Sequence, residues 1–96
     1  MIASFGNRVT SDLFHGISSA KARRLPPQIK ESVLSKLDIL NAATSFDDLR
    51  SPPGNRLEAL KGDYAGFHSI RVNAQWRIMF RWNDSSAYDV SVIDYH

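Results

Sequence analysis

The sequence predicts an α+β fold in which helices from the first half pack on one face of a mainly antiparallel, twisted sheet formed by the second half. Two observations support this prediction. An apolar pattern with helical spacing follows the prolines at 26 and 27, whereas the segments after residue 55 alternate in the manner of strands. Between them, the stretch SPPGN at 51–55 breaks regular structure. The sheet face that the helices leave uncovered is then available to a partner.

A length of 96 residues suits one core of two layers, so we expect a single domain spanning residues 1–96. Apolar residues make up 43% of the chain and charged residues 23%, which is ordinary for a folded protein. The absence of cysteine excludes disulfides, thiolate metal sites and a cysteine nucleophile. No stretch resembles a signal peptide or a membrane span, and we expect a cytoplasmic protein without membrane contact.

In the first half, residues 2–5 are predicted to form a short strand, and residues 19–25 and about 27–43 to form two helices. The second helix is the better defined, because proline suits a first helical turn and the apolar residues that follow share one face. That face consists of Ile29, Val33, Leu37 and Leu40. The polar residues between the strand and the first helix have no clear periodicity, and no element is assigned to them.

In the second half, strands are predicted at 56–60, 67–72, 76–82 and 88–95. The alternation is clearest in the third of these. One face of that strand carries Trp76, Ile78, Phe80 and Trp82, and we expect it to pack as core rather than to stack on nucleic-acid bases. The other face carries Arg77 and Arg81, so two guanidinium groups point to the same side of the sheet.

The formal net charge is +2, which favours a polyanionic partner only weakly. The placement of the charges is more informative. Between Arg56 and Arg81 the only acidic residues are Glu58 and Asp63, against cations that include Lys61, Arg71 and Arg77. Such a basic stretch with interleaved aromatic residues is typical of a surface for phosphates and bases. An ordinary solvated sheet face with surface arginines explains it equally well.

The chain has few of the motifs used in catalysis. The histidines at 15, 68 and 96 are too scattered for a metal site, and neither a serine-hydrolase motif nor a phosphate-binding glycine loop is present. What remains is Glu58, Lys61, Arg71, Arg77, Asp94, Tyr95 and His96. This inventory suits metal-free cleavage of RNA, whose own 2′-OH is the nucleophile and which requires a base, an acid and cations for the phosphorane. We therefore expect no metal and no cofactor.

The second half also resembles a known family. The segments RLEALKGD at 56–63, GFHSIRVN at 66–73, QWRIMF at 75–80 and the final DYH, together about the last 40 residues, resemble the HigB (plasmid maintenance killer) family of bacterial toxins, within the RelE/ParE superfamily. The resemblance implies a RelE-like fold and a small toxin that cuts messenger RNA in the decoding site of the ribosome. It also implies neutralisation by a helix-turn-helix antitoxin, HigA, through which alone the complex would contact an operator in DNA.

Carried over by position, the resemblance implies an active site. Lys61 and Arg77 would bind the scissile phosphate and stabilise the transition state, with the planar guanidinium able to bind it bidentately. Asp94 and His96 are the acid and base candidates, and Tyr95 would stack on a base or position the phosphate. Further contacts to RNA are expected from Arg56, Arg71 and Arg81.

One position departs from the family pattern, because some relatives have histidine where this chain has Glu58. Two roles stay open for Glu58, general base and salt-bridge partner of Lys61. A second class of function also stays open, a non-catalytic poison that binds a protein target such as DNA gyrase, as the ParE branch does. The retained Lys61, Arg77 and terminal Asp-Tyr-His favour the nuclease.

Overall fold

A computed structural model describes residues 1–51 and 53–94 of the chain. Three helices come first, α1 (Arg8–His15), α2 (Ala20–Arg23) and α3 (Pro27–Ala42). Four strands follow, β1 (Glu58–Ala59), β2 (His68–Arg71), β3 (Trp76–Asn83) and β4 (Ser86–Asp94). Short 3₁₀ helices lie at Phe46–Arg50, Pro53–Asn55 and Gly62–Tyr64. The predicted α+β class is confirmed, and no helix within the described ranges is long and apolar enough to cross a membrane.

The strands form one antiparallel sheet in the order β1-β2-β3-β4. The predicted first strand at 2–5 is reduced to isolated parallel bridges, from Ile2 to Ala87 and from Phe5 to Val90, which lie along the outer edge of β4. The predicted strand at 56–60 shrinks to β1. Its start is displaced because Arg56 has a φ of +44°, which lies outside the extended region of regular strands.

The core lies between α3 and one face of the sheet, as predicted. Val33, Leu37 and Leu40 of α3 are fully buried, and Ile29 packs against them. From the sheet, Ile70, Ile78, Phe80 and Val90 are fully buried, with Trp76 and Trp82 partly so. Because side chains alternate along a strand, Arg77 lies on the opposite face from Ile78 and Phe80. The helices therefore leave the arginine face of the sheet to the loops and to solvent.

Helix α1 is missing from the sequence-based assignment, so the prediction of two helices is one short. Its ends nevertheless carry clear signals. The Asn7 side chain accepts a hydrogen bond from the backbone N–H of Thr10 at 3.0 Å, and Gly16 ends the helix with a φ of +71°. Val9 and Leu13 lie one turn apart on it, but the apolar face is short because the helix has only eight residues and two of its three buried residues, Thr10 and Asp12, are polar.

Candidate active site

Arg77 is the most firmly held functional side chain of the sheet, with 7% of the residue exposed. Its Nε donates to Ser69 Oγ at 2.7 Å, and its Nη2 donates to the backbone carbonyl of Arg56 at 2.6 Å. A longer bond of 3.4 Å runs from Nη2 to the carbonyl of Ser69. Because these acceptors are neutral, they orient the guanidinium without cancelling its charge. The result is a fixed cation on the face away from the helices.

The carboxylate of Glu58 lies between Arg77 and solvent. Its Oε1 is 3.7 Å from Arg77 Nη2, and 47% of the Glu58 side chain is exposed. The salt bridge considered for Glu58 from the sequence is with Lys61, whereas the ion pair that it makes among the described residues is with Arg77. A half-exposed pair at this distance is weak. A ligand phosphate could therefore take the place of the carboxylate on the guanidinium without a large loss.

Arg71 is the direct cross-strand neighbour of Arg77 in the antiparallel register of β2 and β3. Its Nε donates to the carbonyl of Asn73 at 3.1 Å, which turns it toward the hairpin end of the two strands. Like charges directly opposite each other on a sheet are unfavourable. An anion bound between Arg71 and Arg77 would relieve that repulsion, so the pair marks a position suited to phosphate.

The hairpin that pairs these arginines is fixed by Asn73. Its Oδ1 accepts from the backbone N–H groups of Gln75 and Trp76, both at 2.8 Å. A side-chain oxygen that satisfies two successive amides holds a turn closed in the way that Asx turns do. The register of Arg71 against Arg77 follows from this turn.

The loop before β1 is held by a buried asparagine, Asn55, which has no exposed surface. Its Nδ2 donates to the carbonyls of Leu49 at 3.2 Å and Ser51 at 3.3 Å. Its Oδ1 accepts from Lys36 Nζ at 2.5 Å. Burial lowers the pKa of the Lys36 ammonium below its ordinary value. Asn55 has no signal of burial in the sequence, because a Gly-Asn pair after prolines is typical of an exposed turn.

Lys61 and Arg81 are the remaining predicted cations of the site. Lys61 is exposed and precedes the 3₁₀ turn Gly62–Tyr64, and no hydrogen bond or ion pair in the described part of the chain engages its ammonium. Arg81 is four residues beyond Arg77 on β3, roughly 13 Å along the strand. It pairs with Asp89 at 3.5 Å and covers the ring of Phe67 at 4.6 Å. Arg81 is therefore separated along the strand from a phosphate held at Arg77, and the predicted role of Lys61 at that phosphate stays a prediction.

Asp94 ends β4 directly opposite Trp76. The alternation of side chains therefore places Asp94 on the face of Trp76 and not on that of Arg77. Its Oδ2 accepts from Gln75 Nε2 at 3.1 Å. The register thus does not bring Asp94 onto the arginine face. Tyr95 and His96, the other predicted site residues at this end, lie outside the described residues.

His68 belongs to the core, as expected from its position in β2, and packs on Phe46 at 4.8 Å and Phe80 at 6.4 Å between ring centroids. The hydrogen bond expected for a core histidine is missing on one side, since Nδ1 is buried without a partner among the described residues. Within residues 1–51 and 53–94, no group of three or more histidine, aspartate or glutamate residues could hold a metal ion.

Sequence comparisons identify the family. Residues 5–96 match the family of RelE-like toxins of the type II toxin-antitoxin system HigB. Toxin HigB-1 of Vibrio cholerae serotype O1 is 49% identical over 65 residues, which is 68% of each chain. Endoribonuclease HigB of Proteus vulgaris is 34% identical over 97 residues, and the match covers 100% of both chains.

Solved structures agree on the fold. The YoeB-YefM complex from Staphylococcus aureus has a TM-score of 0.62 at 14% identity, over 100% of this chain and 98% of that one. YafQ from E. coli has a TM-score of 0.56 at 13% identity, over 98% of this chain and 93% of that one. The structural similarity shows the fold, whereas the sequence match over nearly the whole chain shows the family. The chain belongs to the HigB-like family of RelE-like toxins of type II toxin-antitoxin systems.

Proposed function

We propose that this chain is an endoribonuclease that cuts messenger RNA on the ribosome. The observation that carries the proposal is the buried guanidinium of Arg77, held by neutral acceptors beside the half-exposed carboxylate of Glu58 at 3.7 Å. A cation and a base side by side match the needs of phosphodiester cleavage by the 2′-OH. The relative from Proteus vulgaris, named an endoribonuclease, supports the same activity.

The proposed reaction needs no metal. Glu58 takes the proton of the 2′-OH as the O2′–P bond forms, and Arg77 stabilises the negative charge that develops on the phosphorane oxygens. The P–O5′ bond then breaks, and the leaving oxygen receives a proton from a general acid. His96 is the candidate for that acid and Tyr95 is a candidate for positioning the phosphate, whereas Asp94, the other acid candidate, lies on the opposite face of the sheet from Arg77. The products are a 2′,3′-cyclic phosphate and a 5′-hydroxyl.

The weak RNA affinity expected of this chain supports the proposed dependence on the ribosome. Affinity for RNA depends on the number of phosphates that cations neutralise, and the formal net charge is only +2. The arginines proposed to flank the phosphate number only three, Arg56, Arg71 and Arg81. A message already held in the decoding site would arrive positioned, so the toxin needs to supply only the reactive groups.

The proposed protein partner is a HigA-like helix-turn-helix antitoxin, and contact with an operator in DNA would come only through that complex. The toxin-antitoxin family assignment supports this partner. One of the structural neighbours was itself solved as a complex of YoeB with YefM. We propose that the toxin acts in the cytoplasm, where translated messages are found.

The test is to map messenger RNA 5′ ends in cells that briefly express the wild-type chain or Arg77→Ala. We expect discrete cuts within translated messages for the wild type and their loss in the variant. Arg50→Ala is the matched control, because Arg50 is an exposed arginine paired with Asp47 at 3.0 Å and lies in the 3₁₀ helix Phe46–Arg50, outside the sheet. Growth arrest without cuts would overturn the nuclease and favour a protein target such as DNA gyrase.

A further inference from the structure

A second polar cluster, not used by the proposed chemistry, lies between α3 and the loop that precedes β1. At its centre is Asn55, fully buried, with its amide bonded to Lys36 Nζ and to the carbonyls of Leu49 and Ser51. Burying an amide is unfavourable unless its donors and acceptor are satisfied. Here the amide oxygen accepts one hydrogen bond and the amide nitrogen donates two, so the buried amide is fixed in its orientation.

The chemistry of the cluster requires asparagine in particular. The Lys36 ammonium can only donate, so it fixes the Oδ1 end of the amide toward α3 and leaves Nδ2 to face the two loop carbonyls. An aspartate would keep the acceptor for Lys36 but lose both donors. A leucine of similar size would lose all three bonds.

The next residue, Arg56, links Asn55 to the active site. Arg56 has a φ of +44°, in the left-handed region that is rarely occupied by residues other than glycine. Such a conformation persists only where the surroundings determine it. With Asn55 anchored on one side, the Arg56 carbonyl points at Arg77 and accepts from its Nη2 at 2.6 Å.

We propose that Asn55, oriented by Lys36, is a positioning residue that aligns the guanidinium of Arg77 through the carbonyl of Arg56. The effect on catalysis rests on the nuclease function proposed above, whereas the effect on the Arg77 side chain does not. Ser69 Oγ still accepts from the Arg77 Nε, so loss of Asn55 weakens the support from Arg56 without removing the support from Ser69. A misplaced cation still binds RNA but stabilises the transition state less well.

The test compares wild type, Asn55→Ala and Asn7→Ala. Asn7→Ala is the matched control, because it also removes an asparagine bonded to backbone, at the start of α1 and unconnected to Arg77. Two quantities are measured. The first is exchange of the Arg77 Nε–H with water, followed by ¹⁵N NMR and assigned with Arg77→Lys. The second is kcat and KM for cleavage of a translated message in a reconstituted translation system.

We expect Asn55→Ala to speed exchange of the Arg77 Nε–H and to lower kcat by about 10- to 100-fold with little change in KM. Asn7→Ala should change neither quantity once activity is corrected for the folded fraction. Lys36→Met, which keeps the asparagine but removes the group that orients it, should lie between wild type and Asn55→Ala. It also serves as the second variant if Asn55→Ala does not fold.

The proposal would be overturned if folded Asn55→Ala showed unchanged exchange of the Arg77 Nε–H and unchanged kcat. If Asn55→Ala does not fold, the same result in Lys36→Met would overturn it. A wild-type chain that cuts no message would instead overturn the nuclease function. The exchange measurement would still decide whether Asn55 positions Arg77, so the two failures can be told apart.

Discussion

Removing the hydroxyl of Ser69 tests how firmly the structure holds Arg77. Ser69 is fully buried, and its Oγ accepts from the Arg77 Nε at 2.7 Å. Ser69→Ala leaves a buried, charged donor without that acceptor. Hydrogen bonds to charged groups contribute about 1.5–3 kcal/mol, so we expect the free energy of unfolding to fall by that amount.

The assay is urea unfolding followed by the fluorescence of Trp76 and Trp82, both of which are partly buried. For a chain of this size the denaturant slope is roughly 1.5 kcal/mol per M urea, so the midpoint should fall by about 1–2 M. The same variant should cleave messages more slowly, because Arg77 loses its orientation as well as its support.

The control is Ser91→Ala. Ser91 is also buried and faces Met79 from β4, as Ser69 faces it from β2. The side-chain hydrogen bonds within the described residues include none from a charged group to Ser91. Ser91→Ala should therefore shift the midpoint much less. Equal midpoints for the two variants would refute the reasoning, since the charged donor would then add nothing to the cost of losing a buried hydroxyl.

Three further predictions concern other parts of the fold. Backbone N–H groups of Thr44 and Ser45 lower the pKa of Asp48 below its ordinary value of 3.8. The ionised Asp48 carboxylate therefore contributes its full stabilisation above pH 3.8, and this stabilisation is lost as the pH falls through the lowered pKa. Asp48→Asn should flatten the pH dependence of unfolding below about pH 4. The control Asp47→Asn should leave that dependence unchanged. His68→Leu removes a buried nitrogen without a partner and should raise stability by about 1 kcal/mol, or Tm by about 4–8 °C; a lower Tm would contradict this. Gly6→Ala places a methyl group 2.9 Å from the carbonyl oxygen of Asp89 and against Ser91 Oγ, and should cost about 1–3 kcal/mol in thermal unfolding, whereas Gly54→Ala, with open space around it, should be nearly neutral.

The sequence predicts the fold well wherever one face of an element is apolar. The spacing of Val33, Leu37 and Leu40 and the alternation around Ile78 and Phe80 both correspond to buried faces in the structure. Helix α1 is harder to recognise because it has only eight residues and its buried Thr10 and Asp12 are polar. The proline and glycine signals around residues 51–55 predict a break correctly, but not the 3₁₀ helix Pro53–Asn55 within it.

The site is less accessible to sequence reasoning, because its contacts join residues far apart in the chain. The bond from Arg77 to the Arg56 carbonyl spans 21 residues, and the one from Lys36 to Asn55 spans 19. Neither leaves a local pattern. The face occupied by Asp94 depends on the pairing of β3 with β4, which alternation within a single strand cannot supply.

The two edges of the sheet have a consequence for how this protein associates. Edge strands present unpaired backbone groups that other chains can extend. Here β1 is two residues long, and the segment Ile2 to Phe5 lies along the outer edge of β4. In the described part of the chain, few backbone N–H and C=O groups at the sheet edges are therefore available to pair with a strand of another protein. Short and covered edges of this kind disfavour association by strand addition and so protect the chain against edge-to-edge aggregation.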